Sequence, residues 1–298
     1  MGSRTWLNLG LLILAGALAM VALYLPGVKK TTPLPALTSL TPAAITSIRI
    51  ERGTQPAIAL KKAVSGWRLT EPLQLAANSV VVESLLRIAG AASHAQLLAA
   101  GLDLEKFKLK PPRIRVRLND VELGFGDTEP LEGRRYVLAG NTDVHGSTNV
   151  AGGRTPGATV HLITDSYYPK LIAPPASFAS LALLPDQARL EAIELPQLTL
   201  THDAQGWSAR PSASPDTVNT LVQEWTVAQA LQVRPYTAPV SQIKPVETIT
   251  LQQQGTPPLR FIIVSRAPEL ILARPELGVQ YHLPQEAAQR LLTLPAPN

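Results

Sequence analysis

The chain of 298 residues contains no cysteine. Disulfides, thiolate nucleophiles, iron–sulfur clusters and cysteine-ligated zinc are therefore excluded. A lipoprotein is excluded as well, because its lipid is attached to a cysteine at the new N-terminus. The lack of thiols suits an oxidising compartment such as the periplasm, but it does not by itself establish that location.

Blocks of basic residues are also missing. The formal net charge is +5, yet the 27 Lys and Arg residues are spread along the chain. A nucleic-acid-binding arm would show them in a block, so no nucleic acid is expected as a partner. The sequence has no H-x-x-x-H or H-E-x-x-H spacing, no P-loop, no dinucleotide fingerprint and no G-x-S-x-G elbow. We therefore expect a protein that is not an enzyme and has no metal or organic cofactor.

The sequence does contain one long apolar run, Trp6 to Leu25, with no charged residue in it. As a helix this run would be ~30 Å long, which matches the hydrocarbon thickness of a bilayer. Trp6 and Tyr24 stand near its two ends, where interfacial aromatic residues occur. We predict a transmembrane helix over 6–25, preceded by a short tail (1–5) and followed by a Pro-rich tether (26–39).

The sequence leaves two questions about this segment open: whether it is cleaved, and which way it is oriented in the membrane. The pattern Ala17-Leu18-Ala19 would allow removal of residues 1–19 as a signal peptide, although the apolar run exceeds the usual signal core and favours an uncleaved anchor. Arg4 on one side is nearly balanced by Lys29 and Lys30 on the other, so charge does not decide the orientation. The signal-like layout and the missing cysteines favour a body outside the cytoplasm.

The remaining chain divides into two similar halves. Residues 40–50 align with 185–195, and both alternate apolar and polar residues like a half-buried strand. Each half continues through a Gly-Trp turn to a helix with apolar residues at i, i+3, i+4 and i+7. These helical positions are Val82, Leu85, Leu86 and Ala89 in the first half, and Val218, Leu221, Val222 and Trp225 in the second.

This pattern predicts an α+β fold with two repeated domains, 40–175 and 176–298, each an antiparallel sheet with a packed helix. The halves differ in one place. A Gly/Thr/Asn-rich run from Asp143 to His161 has no counterpart in the second half, and we predict an inserted surface loop over 143–161.

Several short motifs follow one another in the first half. They are Trp67-x-Leu69-x-x-Pro72, a helix, Gly101-Leu102 before a proline and a strand, Leu-Gly-Phe-Gly-Asp at 123–127, and then Gly133 and Tyr136-Val137. Together with the N-terminal anchor, this order resembles the DUF4340 family over most of residues 40–295. The resemblance implies a bacterial envelope protein of the kind that accompanies ABC-transporter or gliding-type membrane systems. It implies no catalytic residues, and the 143–161 insertion departs from it.

Two groups of polar residues are candidate sites. Arg113, Arg115 and Arg117 alternate along a strand, so their guanidinium groups share one face that could bind the anionic groups of a lipid, lipopolysaccharide or protein. The alternative is a solvated face whose charge is balanced by neighbouring carboxylates. Those carboxylates would be Glu122, Asp127, Glu129 and Glu132.

The second group flanks the predicted loop and comprises Asp143, His145, His161 and Asp165. These residue types could act as metal ligands or as an acid–base pair if the loop brought them together. Polar residues in a solvated loop are the alternative, because their spacing matches no known metal site.

We therefore expect a single-pass protein of the bacterial inner membrane with a periplasmic body. Its expected function is that of a non-catalytic binding or accessory module in a multi-protein membrane system, with membrane proteins such as ABC transporter subunits as partners. An envelope hydrolase that uses the loop residues is the alternative. A scaffold for peptidoglycan or lipid is a third hypothesis.

Overall fold

A computed structural model describes residues 12–17, 19–20, 34–140, 158–185, 188–238 and 247–295. The chain separates into two compact units, Met1–Pro35 and Ala36–Asn298. In the first unit, residues 12–17, 19 and 20 are helical, and the rest of the predicted 6–25 helix lies outside the described residues. Among the residues that are described, no helix combines the length and the apolar character needed to cross a bilayer.

The second unit contains two antiparallel sheets and few helices, as expected for an α+β fold. The first sheet has nine strands. They are β1 (Ser47–Arg52), β2 (Gln55–Ala63), β3 (Gly66–Glu71), β4 (Leu75–Ala76), β5 (Ser93–Leu98), β6 (Ile114–Leu118), β7 (Val121–Thr128), β8 (Arg135–Gly140) and β9 (Thr159–Ile163). Their order across the sheet is β4-β3-β2-β1-β6-β7-β8-β9-β5.

The second sheet has eight strands. They are β10 (Leu190–Leu195), β11 (Leu198–Asp203), β12 (Gly206–Arg210), β13 (Gln232–Pro235), β14 (Thr248–Gln253), β15 (Thr256–Ser265), β16 (Leu270–Arg274) and β17 (Val279–Leu283). Their order is β12-β11-β10-β14-β15-β16-β17-β13. Apart from the short β4, the two sheets therefore have the same strand order. Gly66 and Gly206 begin equivalent strands, and both have positive φ, 104° and 114°.

Within the described part of the second unit, four α-helices accompany the sheets: α1 (Ser79–Leu86), α2 (Tyr168–Leu171), α3 (Pro215–Val227) and α4 (Glu286–Leu292). Short 3₁₀ helices lie at Pro42–Ala44, Arg87–Gly90, Pro175–Phe178 and Pro275–Leu277. Side chains cap the N-termini of the two longer helices. Asn78 accepts hydrogen bonds from the amides of Val80 and Val81, and Ser214 accepts one from the amide of Thr217. The positions predicted from helical spacing face the core, where Val82, Leu85, Val218, Leu221 and Trp225 are buried.

Each sheet buries one face in its own hydrophobic core. In the first core, Val82 and Leu85 of α1 pack with strand residues such as Ile48, Ile50 and Phe125. In the second, Val218, Leu221 and Trp225 of α3 pack with Ile193, Leu251 and Phe261. Alternation along the strands thus produces the buried faces, as the sequence predicted.

Three boundaries differ from the sequence-based prediction. The tether ends earlier than residue 39, because Leu37 is buried and its amide donates to the carbonyl of Ala91. The predicted loop 143–161 ends in strand β9, and its residues 143–157 lie outside the described residues. The predicted division at 175/176 falls inside the second compact unit, within the 3₁₀ helix Pro175–Phe178.

Candidate functional site

The outward face of strand β7, opposite the first core, is covered by a loop. Leu123 and Phe125 of β7 point into the core, so Gly124 and Gly126 alternate onto the other face. A β-carbon on Gly126 would overlap the carbonyl oxygen of Phe107, and one on Gly124 would lie 3.1 Å from the β-carbon of Pro112. Gly126 therefore has no room for a side chain, and a β-carbon at Gly124 would be tight against Pro112.

We call residues 104–112 the cover segment. Backbone hydrogen bonds attach it to β7: the amide of Asp127 donates to Phe107 at 2.9 Å, and the amide of Arg113 donates to Phe125 at 2.9 Å. The ring of Phe107 also lies 4.5 Å from that of Tyr136 on the neighbouring strand β8. The cover segment is therefore attached to the sheet at Phe107 and at Arg113, the residue that follows it.

A cleft of about 480 Å³ opens beside the cover segment. Its apolar lining comes from Gly124, Leu138 and Gly140 on the sheet and from Leu109, Pro111 and Pro112 on the cover segment. Its charged lining consists of Lys110, Arg115 and Glu122. Such a mixture of an apolar floor with charges of both signs is suited to binding a polypeptide or an amphipathic ligand.

A row of ion pairs continues from the cleft across the same face of the sheet. The Nε atom of Arg115 lies 2.7 Å from Oε1 of Glu122, and its Nη1 atom lies 3.4 Å from Oε2 of Glu51. Glu51 pairs with Arg49 at 3.0 Å, and Arg49 reaches Glu71 at 2.9 Å. The row therefore joins strands β3, β1, β6 and β7.

The pairing affects how these groups ionise. The hydrogen bond from Arg49, helped by that from Arg115, lowers the pKa of Glu51 below its ordinary value. The same contacts with Glu51 and Glu71 raise the pKa of Arg49. Arg49 and Glu51 therefore both keep their charges at neutral pH.

The three arginines singled out in the sequence all lie on or beside strand β6, and each has a carboxylate partner. Arg113 pairs with Asp127, Arg115 with Glu51 and Glu122, and Arg117 with Glu122. Their side chains are partly exposed, so each pair is of the weak surface type. The arrangement agrees with a solvated face balanced by carboxylates, although Glu51 was not among the carboxylates that the sequence suggested.

The loop residues are not brought together in the part of the chain that the structure describes. Asp143 and His145 lie outside the described residues. His161 is buried on β9, with Nδ1 2.9 Å from the hydroxyl of Ser93, and burial lowers the pKa of its imidazole. Asp165 instead accepts two hydrogen bonds from Arg135, at 2.5 and 2.8 Å.

Arg135 makes two further contacts that hold it in place. It donates to the carbonyl of Gly126 at 2.5 Å, and its guanidinium carbon lies 3.4 Å from the centre of the Tyr168 ring. Arg135 is buried, so Asp165 is the counter-charge of a buried cation in this arrangement. Over the described ranges, no three His, Asp or Glu side chains are placed to hold a metal ion.

Sequence reasoning missed several groups of the cleft and the ion-pair row, namely Lys110, Leu138, Arg49 and Glu51. Arg49 and Glu51 alternate on β1 just as the arginines do on β6, so the same period-2 pattern could have identified them. The pairing of β1 with β6 was not predictable from spacing, because the two strands are far apart in the sequence and become neighbours only when the chain folds. Lys110 and Leu138 carry no local signal that marks them as lining residues.

Comparison with known proteins identifies the family but not a characterised relative. No curated protein matches the chain, and no solved structure matches it. The sequence model described as "Domain of unknown function (DUF4340)" matches residues 67–257, which run from β3 of the first sheet to β15 of the second. Because this match spans more than half of the chain, the protein belongs to the DUF4340 family.

Proposed function

We propose that this protein is a membrane-anchored, non-catalytic binding module, an accessory part of a multi-protein system in the bacterial inner membrane. The uncharged run from Trp6 to Leu25 supports the anchor, since its length and composition suit a bilayer-spanning helix. The body would lie on the periplasmic side. ABC transporter subunits are the partners that the resemblance to other envelope proteins of the family suggests.

The observation that carries the binding role is the cleft beside the cover segment. Its apolar floor gives a partner side chain a place to be desolvated, and Lys110 and Glu122 supply charges of both signs at the rim. The ion-pair row next to it is already neutralised, so it favours neither a strongly acidic nor a strongly basic partner. A polypeptide segment with one or two apolar anchors suits this surface best.

The test compares proteins that co-purify with the full-length chain from detergent-solubilised membranes. Leu138→Glu would place a carboxylate in the floor of the cleft. Val64→Glu adds the same charge on a fully exposed turn. We expect an integral membrane complex with the wild type and with Val64→Glu, reduced at least tenfold by Leu138→Glu. Recovery of no membrane protein, or equal recovery with both variants, would contradict the proposal.

A separate experiment distinguishes the binding module from an envelope hydrolase. His145→Ala and His161→Asn remove the two imidazoles that the hydrolase hypothesis requires. Asn can still place a polar atom near the hydroxyl of Ser93, so the second change keeps a partner for that group. The binding module predicts that cells carrying both changes keep full function, provided that the protein is present at its normal level; loss of function under that condition would favour the hydrolase.

A further inference from the structure

Arg52 is a buried cation at the end of strand β1. Burial alternates along this strand, and its buried residues are Ile48, Ile50 and Arg52. Arg52 therefore lies on the core side of the sheet, with 8% of its surface exposed. Arginine is rarely buried to this extent unless another group compensates its charge.

The carboxylates of the ion-pair row lie on the other face of the sheet. Arg49 and Glu51 alternate onto the outward face of β1, where Glu51 pairs with Arg49 and Arg115. Burial is what lowers the pKa of Arg52 below its ordinary value, and no carboxylate in the described part of the chain raises it. The cation is thus desolvated without a counter-charge from the described residues.

The guanidinium of Arg52 also has few hydrogen-bond acceptors. A guanidinium carries five N–H groups. In the described ranges, Arg52 uses one of them, which donates from Nη1 to the carbonyl of Ala173 at 2.6 Å. Its Nε atom is buried and has no hydrogen-bond partner among the described residues. Burial has therefore cost this group its contact with water without a matching set of acceptors.

Arg135 shows how the same fold compensates another buried arginine. It is 7% exposed, which is close to the 8% of Arg52. Its guanidinium donates two hydrogen bonds to Asp165 and one to the carbonyl of Gly126, and it lies over the ring of Tyr168. The two arginines differ in their partners and not in their burial.

We propose that Arg52 binds the carboxylate group of a small organic acid. The planar guanidinium matches the two oxygens of a carboxylate, and its charge is delocalised, so an anion at the Nη nitrogens offsets the desolvation of the whole group. One negative charge balances Arg52. A phosphate monoester would bring nearly two, and no second cation acts on Arg52 within the described ranges.

The surroundings of Arg52 limit the size of the ligand and show where it enters. Arg52 directly precedes the exposed turn 53–54, and Ala173, which its Nη1 atom reaches, lies between the exposed residues Ile172 and Pro174. The Nη end of the side chain is therefore close to solvent. Because so little of Arg52 is exposed, a group the size of acetate fits the approach better than a large molecule. The cleft lies on the opposite face of the sheet, so this site is independent of the proposed function.

Replacing Arg52 tests the site in the full-length chain in detergent. Arg52→Gln removes the buried charge, and Arg68→Gln is the control, because Arg68 is an exposed arginine on β3. In chloride, Arg52→Gln should unfold at the same urea concentration as the wild type or higher, since it removes an uncompensated buried charge. When acetate replaces chloride at constant ionic strength, the midpoint should rise for the wild type and for Arg68→Gln, and stay unchanged for Arg52→Gln.

The fluorine NMR signal of fluoroacetate measures binding directly. The wild type should broaden this signal, and excess acetate should restore it. Arg52→Gln should reduce the broadening at least tenfold. Arg52→Lys is the second variant, because it keeps the charge but lacks the planar pair of nitrogens, so it should bind more weakly than the wild type.

Four results would overturn the proposal. They are an equal response of Arg52→Gln and the wild type to acetate, stabilisation by phosphate in place of acetate, marked destabilisation of Arg52→Gln in chloride, and equal binding of fluoroacetate by the wild type and both Arg52 variants.

Discussion

Gly126 and Phe107 lie so close that a β-carbon on the glycine would overlap the carbonyl oxygen of the phenylalanine. That carbonyl also accepts the amide of Asp127, the residue after the glycine, so it cannot withdraw without losing a hydrogen bond. The cover segment can pack against β7 because Gly126 has no side chain. This close approach is one of the contacts that hold the wall of the cleft against the sheet.

Gly126→Ala should therefore destabilise the protein by roughly 1–3 kcal/mol, the usual cost of overpacking a site that cannot expand. Gly90→Ala is the matched control, because nothing lies within 4 Å of a β-carbon there and its φ is not positive. The control should be neutral or slightly stabilising, since alanine restricts the unfolded chain. Urea unfolding followed by circular dichroism measures both, and equal effects would refute the contact as the cause.

The glycines of this motif show what could be predicted from the sequence and what could not. The alternation around Ile48 and Ile50 predicted a half-buried strand, and both residues are buried in the structure. The Leu-Gly-Phe-Gly-Asp motif was visible as a family pattern, but the reason for its glycines was not. That reason is the carbonyl of Phe107, which approaches from a separate segment, and only the folded chain brings the two together.

Asp165→Asn should destabilise the protein through Arg135. The buried guanidinium would lose its only carboxylate partner among the described contacts, and breaking such a pair from one side costs about 3–5 kcal/mol when both groups are buried. Asp165 is partly exposed, so solvent screening should reduce the loss to roughly 2–3 kcal/mol. Thermal and urea unfolding provide the measurement.

The control for this pair is an exposed one. Glu83→Gln breaks the ion pair between Glu83 and Arg87, in which both side chains are 65% exposed. Surface pairs of this kind contribute little to stability, so the change should be small. If the two substitutions cost the same, Asp165 is not a structural counter-charge, and its availability for other chemistry would have to be reconsidered.

The same residue shows why the candidate site was hard to predict. Asp165 and His161 are four positions apart, and their place beside the predicted loop suggested a common site. In the structure, Asp165 contacts Arg135 and His161 contacts Ser93, partners that lie 30 and 68 residues away. One partner of β6 is equally remote, since Arg115 meets Glu51 across 64 residues. The sequence shows which residues are charged or polar, but which of them pair with one another depends on the order of the strands in the sheet.

His161 predicts a dependence of stability on pH. Burial lowers the pKa of its imidazole in the folded state below the ordinary value of 6.5, so the unfolded state binds a proton more readily. Its contribution to stability is therefore complete above pH 6.5 and is lost as pH falls through the lower, folded-state pKa. Between pH 7 and 5 the free energy of unfolding should decrease, by at most about 1.4 kcal/mol per pH unit from this group.

His161→Asn should remove that part of the decrease, because asparagine does not titrate and can still meet Ser93. His202→Asn is the control, since His202 is exposed on β11 beside Trp207. Urea unfolding between pH 5 and 7 compares the slopes. Glu51, whose pKa is lowered by Arg49, loses its contribution only at more acidic pH, so it does not interfere in this range. A slope that His161→Asn leaves unchanged would contradict the assignment.

Trp225 joins two helices of the second core. Its indole N–H donates at 2.9 Å to the carbonyl of Leu291, one of the last-turn carbonyls of α4 that no helical amide can reach. Trp225 is fully buried, so Trp225→Phe leaves that carbonyl without its donor and creates a cavity. The two effects together should cost roughly 2–4 kcal/mol.

Trp207→Phe is the comparison for this change, because Trp207 is half-buried on strand β12 of the same sheet and packs edge-on against His202 at 5.1 Å. It should cost about 1 kcal/mol or less, since no buried carbonyl loses a donor there. Urea unfolding of both variants gives the difference. Hydrogen exchange locates it, because the loss of the Trp225 bond should raise the exchange of α4 amides before those of the first sheet. Equal costs for the two substitutions would mean that ring volume, and not the bond to Leu291, determines the stability of this core.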